Sequence, residues 1–140
     1  MADEFFSGGC QCGAVRYTCT AAPVAAINCH CADCQISSGA PFASGFVVAV
    51  ASMLVNGTPK TYSVTAANGG KTTRSFCGSC GTPLFARGET IPEYMSVRFA
   101  TLDDTTGFKP MLDIWTSRAQ PWRCFDTDIP QFEESPRNAA

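Results

Sequence analysis

The chain has 140 residues, of which 45% are hydrophobic and 16% charged, and its 10 basic and 12 acidic side chains leave a formal net charge of −2. That length fits one domain able to bury about two-thirds of its unfolded surface, and the slightly acidic balance excludes the electrostatic footprint of a nucleic-acid or anionic-membrane binder. The most apolar stretch, Phe46 to Val55, is too short to cross a bilayer.

The predicted elements are strands and turns. Ala14 to Cys19 alternates as a half-buried strand, and Ala25 to Asn28 is a short strand candidate. Ala32-Asp33-Cys34-Gln35 predicts a helical turn that lets Cys31 and Cys34 share a face. Phe42 to Ala51, rich in Val and Phe, fits a buried strand. Asn56-Gly57 predicts a tight hairpin turn into a strand from Lys60 to Val64. Asn68-Gly69-Gly70 predicts another turn, into Thr72 to Phe76. Further strands are expected at Leu84 to Arg87, Tyr94 to Phe99 and Asp113 to Thr116, with a short turn at Leu102-Asp103-Asp104. No segment sustains a 3.6-residue period, so the expected fold class is mainly β with few short helical turns. No internal repeat or linker divides the chain. One domain is expected over 8–132, with the polar, Pro136-containing segment 133–140 frayed.

The nine cysteines carry the chemistry. The acidic start, Met1-Ala2-Asp3-Glu4, has no apolar run behind it and does not match a secretion signal. A reducing, cytoplasmic setting is therefore expected, where close-spaced cysteines read as metal ligands. Cys10-Gln11-Cys12 and Cys77-Gly78-Ser79-Cys80 supply four thiolates, enough to close a tetrahedral structural zinc site. Gly8, Gly9, Gly13, Gly78 and Gly81 flank these pairs and let backbone N–H groups turn toward sulfur. An iron–sulfur centre also takes four thiolates, but glycine turns in a β-rich chain suit it less well.

The middle cluster, Cys29-His30-Cys31-Ala32-Asp33-Cys34, supplies three thiolates and leaves one position open. Catalytic zinc keeps such a vacancy, and a thiol bound there is deprotonated. His30 is the only histidine. In an extended chain it points away from both neighbours, so a hydrogen-bonding role is expected rather than ligation. A competing reading closes this cluster too, with Cys19, Cys124 or Asp33 as fourth donor, and makes the protein a non-enzymatic zinc-stabilised binding module. Otherwise Cys19 and Cys124 read as buried core thiols. Ser38 to Phe42 directly follows the ligands and reads as a pocket wall, with Asp33 and His30 the nearest titratable groups. Arg74, Arg87, Arg98, Arg118 and Arg123 could meet carboxylates, although each alone reads as solvated. Trp115 and Trp122 read as core.

Taken in order, Gly8-Gly9-Cys10-Gln11-Cys12-Gly13-Ala14-Val15-Arg16-Tyr17, the middle cluster, Ser38-Gly39-Ala40-Pro41-Phe42, Phe76-Cys77-Gly78-Ser79-Cys80-Gly81-Thr82-Pro83-Leu84-Phe85, Ile114-Trp115 and Pro121-Trp122 form a specific pattern. It resembles the glutathione-dependent formaldehyde-activating enzyme family, which includes centromere protein V-like domains. The resemblance runs from Gly8 to Phe132. It implies a β-tent of packed antiparallel sheets, a structural zinc on Cys10, Cys12, Cys77 and Cys80, and a catalytic zinc on Cys29, Cys31 and Cys34. It also implies a carbon–sulfur lyase that condenses formaldehyde with glutathione to S-hydroxymethylglutathione. Gln35 and Asp113 stand where many relatives carry Arg and His. Both exchanges are expected to remove positive charge from beside the substrate.

Overall fold

A computed structural model describes residues 4–136. Ten strands make two sheets. Strands β1 (Phe6–Gly9), β2 (Arg16–Cys19) and β5 (Met53–Asn56) form a three-stranded antiparallel sheet in the order β1-β2-β5. The larger sheet contains β3 (Ala25–Cys29), β4 (Ala43–Ala49), β6 (Lys60–Thr65), β7 (Lys71–Phe76), β8 (Pro83–Gly88), β9 (Tyr94–Arg98) and β10 (Leu112–Ile114). Its order is β10-β3-β4-β9-β8-β7-β6. Every pairing is antiparallel except β10 with β3, which is parallel. A helix, α1 (Ala32–Ser38), links β3 to β4, and short 3-10 turns lie at Val50–Ser52, Phe99–Thr101 and Thr116–Arg118. Among the described residues no helix is long and apolar enough to cross a membrane.

The core fills the space between the sheets. Alternation in β4 sends Phe46 and Val48 inward, where they join Val97, Leu84, Phe85 and Met95 of the large sheet and Val15, Tyr17 and Cys19 of the small one. The seam is aromatic. Phe6 meets Phe46 edge-on at 4.6 Å, and Tyr17 meets Phe85 at 5.4 Å. Such T-shaped pairs add to plain area burial. The Tyr17 hydroxyl, buried with its ring, is satisfied by Thr101 Oγ1 at 2.8 Å.

The expected strands form close to where the sequence places them, β1 and β5 are additional, and strand partners differ from the local expectation. Asn56-Gly57 is not a hairpin turn. It carries the chain from one sheet to the other: β5 pairs with β2, whereas β6 pairs with β7. Pro59 follows at once and has no N–H to give to a returning ladder. Gly57, at φ 93°, packs so tightly on the Ala14 carbonyl that a side chain there has no room. By contrast, Asn68-Gly69-Gly70 does turn β6 into β7, with Ala66 N–H donating to the Gly70 carbonyl at 2.7 Å. The turn expected at Leu102-Asp103-Asp104 forms earlier, at Phe99–Thr101, because Leu102 bridges to Gly8. In the segment expected to fray, the Glu133 and Glu134 carbonyls accept hydrogen bonds from Ser117 and Trp115. Residues 137–140 lie outside the described residues.

Candidate metal centres

Cys10–Cys12 sits on the turn between β1 and β2, and Cys77–Cys80 on the turn between β7 and β8. The two turns are built alike. Cys10 N–H donates to the Val15 carbonyl and Cys77 N–H to the Thr82 carbonyl, both at 3.0 Å. Each turn then closes on a glycine in the left-handed region, Gly13 at φ 82° and Gly81 at φ 78°, a conformation glycine adopts without strain. Amide groups point at sulfur: Val15 N–H lies 3.2 Å from Cys10 Sγ, and the Ser79 and Cys80 N–H groups 3.4 and 3.5 Å from Cys77 Sγ. The Val15 N–H foremost, helped by the Cys77 and Cys12 side chains, holds the Cys10 thiol below its ordinary pKa. The Thr82 hydroxyl, 3.1 Å from Cys80 Sγ, leads the interactions that bring Cys80 down to about 5.

The four sulfurs lie within 4.8 Å of one another, with Cys10–Cys12 at 3.7 Å and Cys12–Cys77 at 3.8 Å. A tetrahedron of sulfurs about 2.3 Å from zinc has edges of about 3.75 Å. The donor set therefore fits zinc in both chemistry and size. Because its two halves come from different sheets, a metal there would tie the sheets together.

The second cluster forms where β3 gives way to α1. Cys29 ends the strand, Cys31 caps the helix, and Cys34 lies in its first turn. Cys31 Sγ accepts the Cys34 N–H at 3.3 Å, and Gly39 ends the helix at φ 67°. The three sulfurs lie within 4.8 Å of one another. The nearby Cys29 and Cys34 thiols hold Cys31 far below the usual thiol range, and the same contact with Cys31 pushes Cys29 far up. Three thiolates this close repel one another, and a divalent cation relieves that repulsion, so this donor set also fits a metal.

No fourth protein donor joins this group among the described residues. Cys19 is wholly buried in the core, against Ser52 Oγ and the Ala21 carbonyl. Cys124 is exposed rather than buried as expected. Asp33 faces the adjoining cavity but is not part of the sulfur cluster. His30 turns the other way. Its Nε2 lies 2.6 Å from Asp113 Oδ1, and its ring packs between Phe42 and Phe125. Burial lowers the His30 pKa against the opposing pull of Asp113. Gln131 Nε2 donates to Asp113 Oδ2 at 2.8 Å and completes the brace. Sequence reasoning missed this role for Asp113, whose only signal was its place where relatives carry His.

The cluster opens onto a cavity of about 300 Å³, lined by all three cysteines together with Asp33, Arg74 and Arg98. The cavity lies on the face of the large sheet opposite the core. Neither Gln35 nor Asp113 lines it. Gln35 instead stitches α1 to a neighbouring loop, donating to the His30 and Arg118 carbonyls at 2.7 and 2.9 Å and accepting from Gln120. The segment from Ser38 to Phe42 is not a wall of this cavity; Phe42 shields His30. Trp115 lines the cavity and Trp122 is 70% exposed, so neither is core. Arg87 bonds the Pro92 carbonyl, Arg123 covers Phe42 and Phe125, and Arg118 is exposed.

The family model described as glutathione-dependent formaldehyde-activating enzyme matches residues 5–118. A crystal structure of a Rhodobacter sphaeroides protein from a structural genomics programme is similar at a TM-score of 0.58. It is 20% identical, and the alignment covers 89% of this chain and 98% of that one. This likeness bears on the fold alone. No curated protein sequence matches the chain. With the family model matching most of its length, the chain belongs to the glutathione-dependent formaldehyde-activating enzyme family.

Proposed function

We propose that this chain is a zinc-dependent carbon–sulfur lyase. It condenses a thiol, glutathione or a similar one, with formaldehyde or a related aldehyde to give an S-hydroxymethyl adduct. The observation that carries the reading is a three-thiolate cluster with no fourth protein donor, opening onto a cavity. Zinc bound by Cys29, Cys31 and Cys34 supplies one open position and favours the thiolate form of a thiol placed there.

The chain's own residues arrange the rest. The sulfur of the thiol forms the new bond to the aldehyde carbon, the C=O π pair moves to oxygen, and the thiol's proton ends on that oxygen. Asp33, in the cavity lining, is placed to pass that proton. His30 is not, because it is 0% exposed and engaged by Asp113. Ile27 and Trp115 wall the cavity and limit water beside the adduct. All nine cysteines are free, which suits a reducing compartment such as the cytoplasm.

Metal analysis of chelator-free protein, followed by thiol titration, tests the reading. Two zincs per chain and a metal-centred response to added glutathione are expected. Cys31→Ser should abolish that response and keep the fold, whereas Cys77→Ser should unfold the domain. One tightly held zinc with no response to any thiol would overturn the proposal.

A further inference from the structure

Arg98 is the side chain that stands out in the cavity. It lies at the end of β9, and its guanidinium donates to Ser37 Oγ at 2.8 Å. Ser37 is three residues beyond Cys34 on α1, so the two share a helix face. Arg98 is thus docked on the face that carries one of the three cluster sulfurs. Ladder geometry agrees. Gly45 pairs with both Ile27 and Arg98. Cys29 is therefore two strands across and two residues along from Arg98, about 12 Å between Cα atoms, within reach of a long side chain.

Arg98 forms no ion pair with a carboxylate among the described residues. Among the described residues the ion pairs are Arg16–Asp103 and His30–Asp113. Arg74, the other cationic group in the lining, likewise pairs with no carboxylate and lies over the Tyr62 ring. A half-buried guanidinium with one neutral partner, in a cavity walled by Ile27, Val47, Ile114 and Trp115, retains N–H groups able to meet a carboxylate in bidentate fashion.

Resting on the reading of the open cluster as a thiol site, we propose that Arg98 is a specificity-determining residue. It anchors a carboxylate of the incoming thiol, so the site selects thiols that carry one over neutral thiols of the same shape. The selection acts on binding, before any carbon–sulfur bond forms.

Calorimetric titration of the zinc-loaded protein tests this with two matched pairs. They are 3-mercaptopropionate against 3-mercaptopropanol, and glutathione against its diethyl ester. At low salt, the carboxylate member of at least one pair should bind about tenfold more tightly, and the advantage should shrink as salt is raised. Which pair shows the effect tells a small mercapto acid from a tripeptide. Arg98→Gln should bring the two members within about twofold. Arg98→Lys, which keeps the charge, should retain part of the preference, and this second variant separates lost anchoring from a damaged fold. Equal affinities within both pairs in the wild type would overturn the role of Arg98 but leave the thiol site standing. If no thiol of either pair binds, the thiol site itself fails, and the inference about Arg98 falls with it.

Discussion

Asp113→Ala should be among the most damaging single changes outside the cysteines. Asp113 is 1% exposed and His30 0% exposed, and their contact spans 2.6 Å. A carboxylate only accepts, so the His30 proton sits on Nε2, and Nδ1 has no partner. Truncating Asp113 removes two bonds to a charged acceptor, each worth about 1.5–3 kcal/mol, and strands the Nε2–H and the Gln131 amide. The two together set the expected loss at about 3–5 kcal/mol. With a slope of about 2 kcal/mol per molar urea, that lowers the unfolding midpoint by about 2 M. Asp113→Asn keeps the volume and one acceptor and should lose about half as much. Urea denaturation of the metal-loaded proteins measures both, and a double-mutant cycle with His30→Ala should return a coupling of about 2 kcal/mol. A loss below about 1 kcal/mol for Asp113→Ala would refute the reasoning, because water or a neighbour must then satisfy His30 at little cost.

Two further changes test the seam between the sheets. A Cβ at Gly8 would run into the Thr101 carbonyl oxygen and the Tyr17 ring, so Gly8→Ala should cost about 3 kcal/mol and lower Tm by about 10 °C. A shift under about 2 °C would mean the seam yields. Burial first of all pushes the Tyr17 phenol up to about 12. A folded-state value above the unfolded one of about 10 gives stability that is present below pH 10 and is lost as pH rises toward 12. In the wild type that loss should amount to about 2–3 kcal/mol. Tyr17→Phe should lack it, so the stability gap between the two proteins should narrow across that window; a constant gap would contradict the assignment.

Both cysteine clusters were legible because their spacing is local. One residue or two between sulfurs, on a tight turn, suffice to aim a pair of ligands whatever the rest of the chain does. The strand at Arg16–Cys19 was legible for the same reason, since a period of two needs no partner; β1 and β5, which no such pattern marks, were not. Partner choice was not. The pattern at Asn56-Gly57 matches a hairpin turn, and what overrides it is Pro59 together with the close approach of Gly57 to Ala14. The parallel partner of β3 arrives more than eighty residues later as the three-residue strand β10, too short for any periodicity. The His30–Asp113 contact spans 83 positions, and nothing local to either residue announces it. The hydrogen-bonding role of Gln35 was not legible either, because a helix turn puts neighbours on different faces: Cys34 looks into the cavity, and Gln35 looks toward Gln120.

The two clusters differ in what surrounds them more than in how many sulfurs they hold. Cys10, Cys12, Cys77 and Cys80 come from turns of different sheets, so a metal there would join the two sheets at a point where their ladders do not. Closing that site fully serves the fold. Cys29, Cys31 and Cys34 come from one strand end and the first turn of one helix, on the side of the large sheet facing away from the core. A metal there joins nothing distant, so stability gives little reason for a fourth protein ligand. The rigidity the cluster needs comes instead from behind. Asp113 and Gln131 hold His30, and Gln35 holds the His30 carbonyl, from the side away from the cavity. Positioning thus acts through the residue between Cys29 and Cys31 and leaves the cavity side of the cluster open.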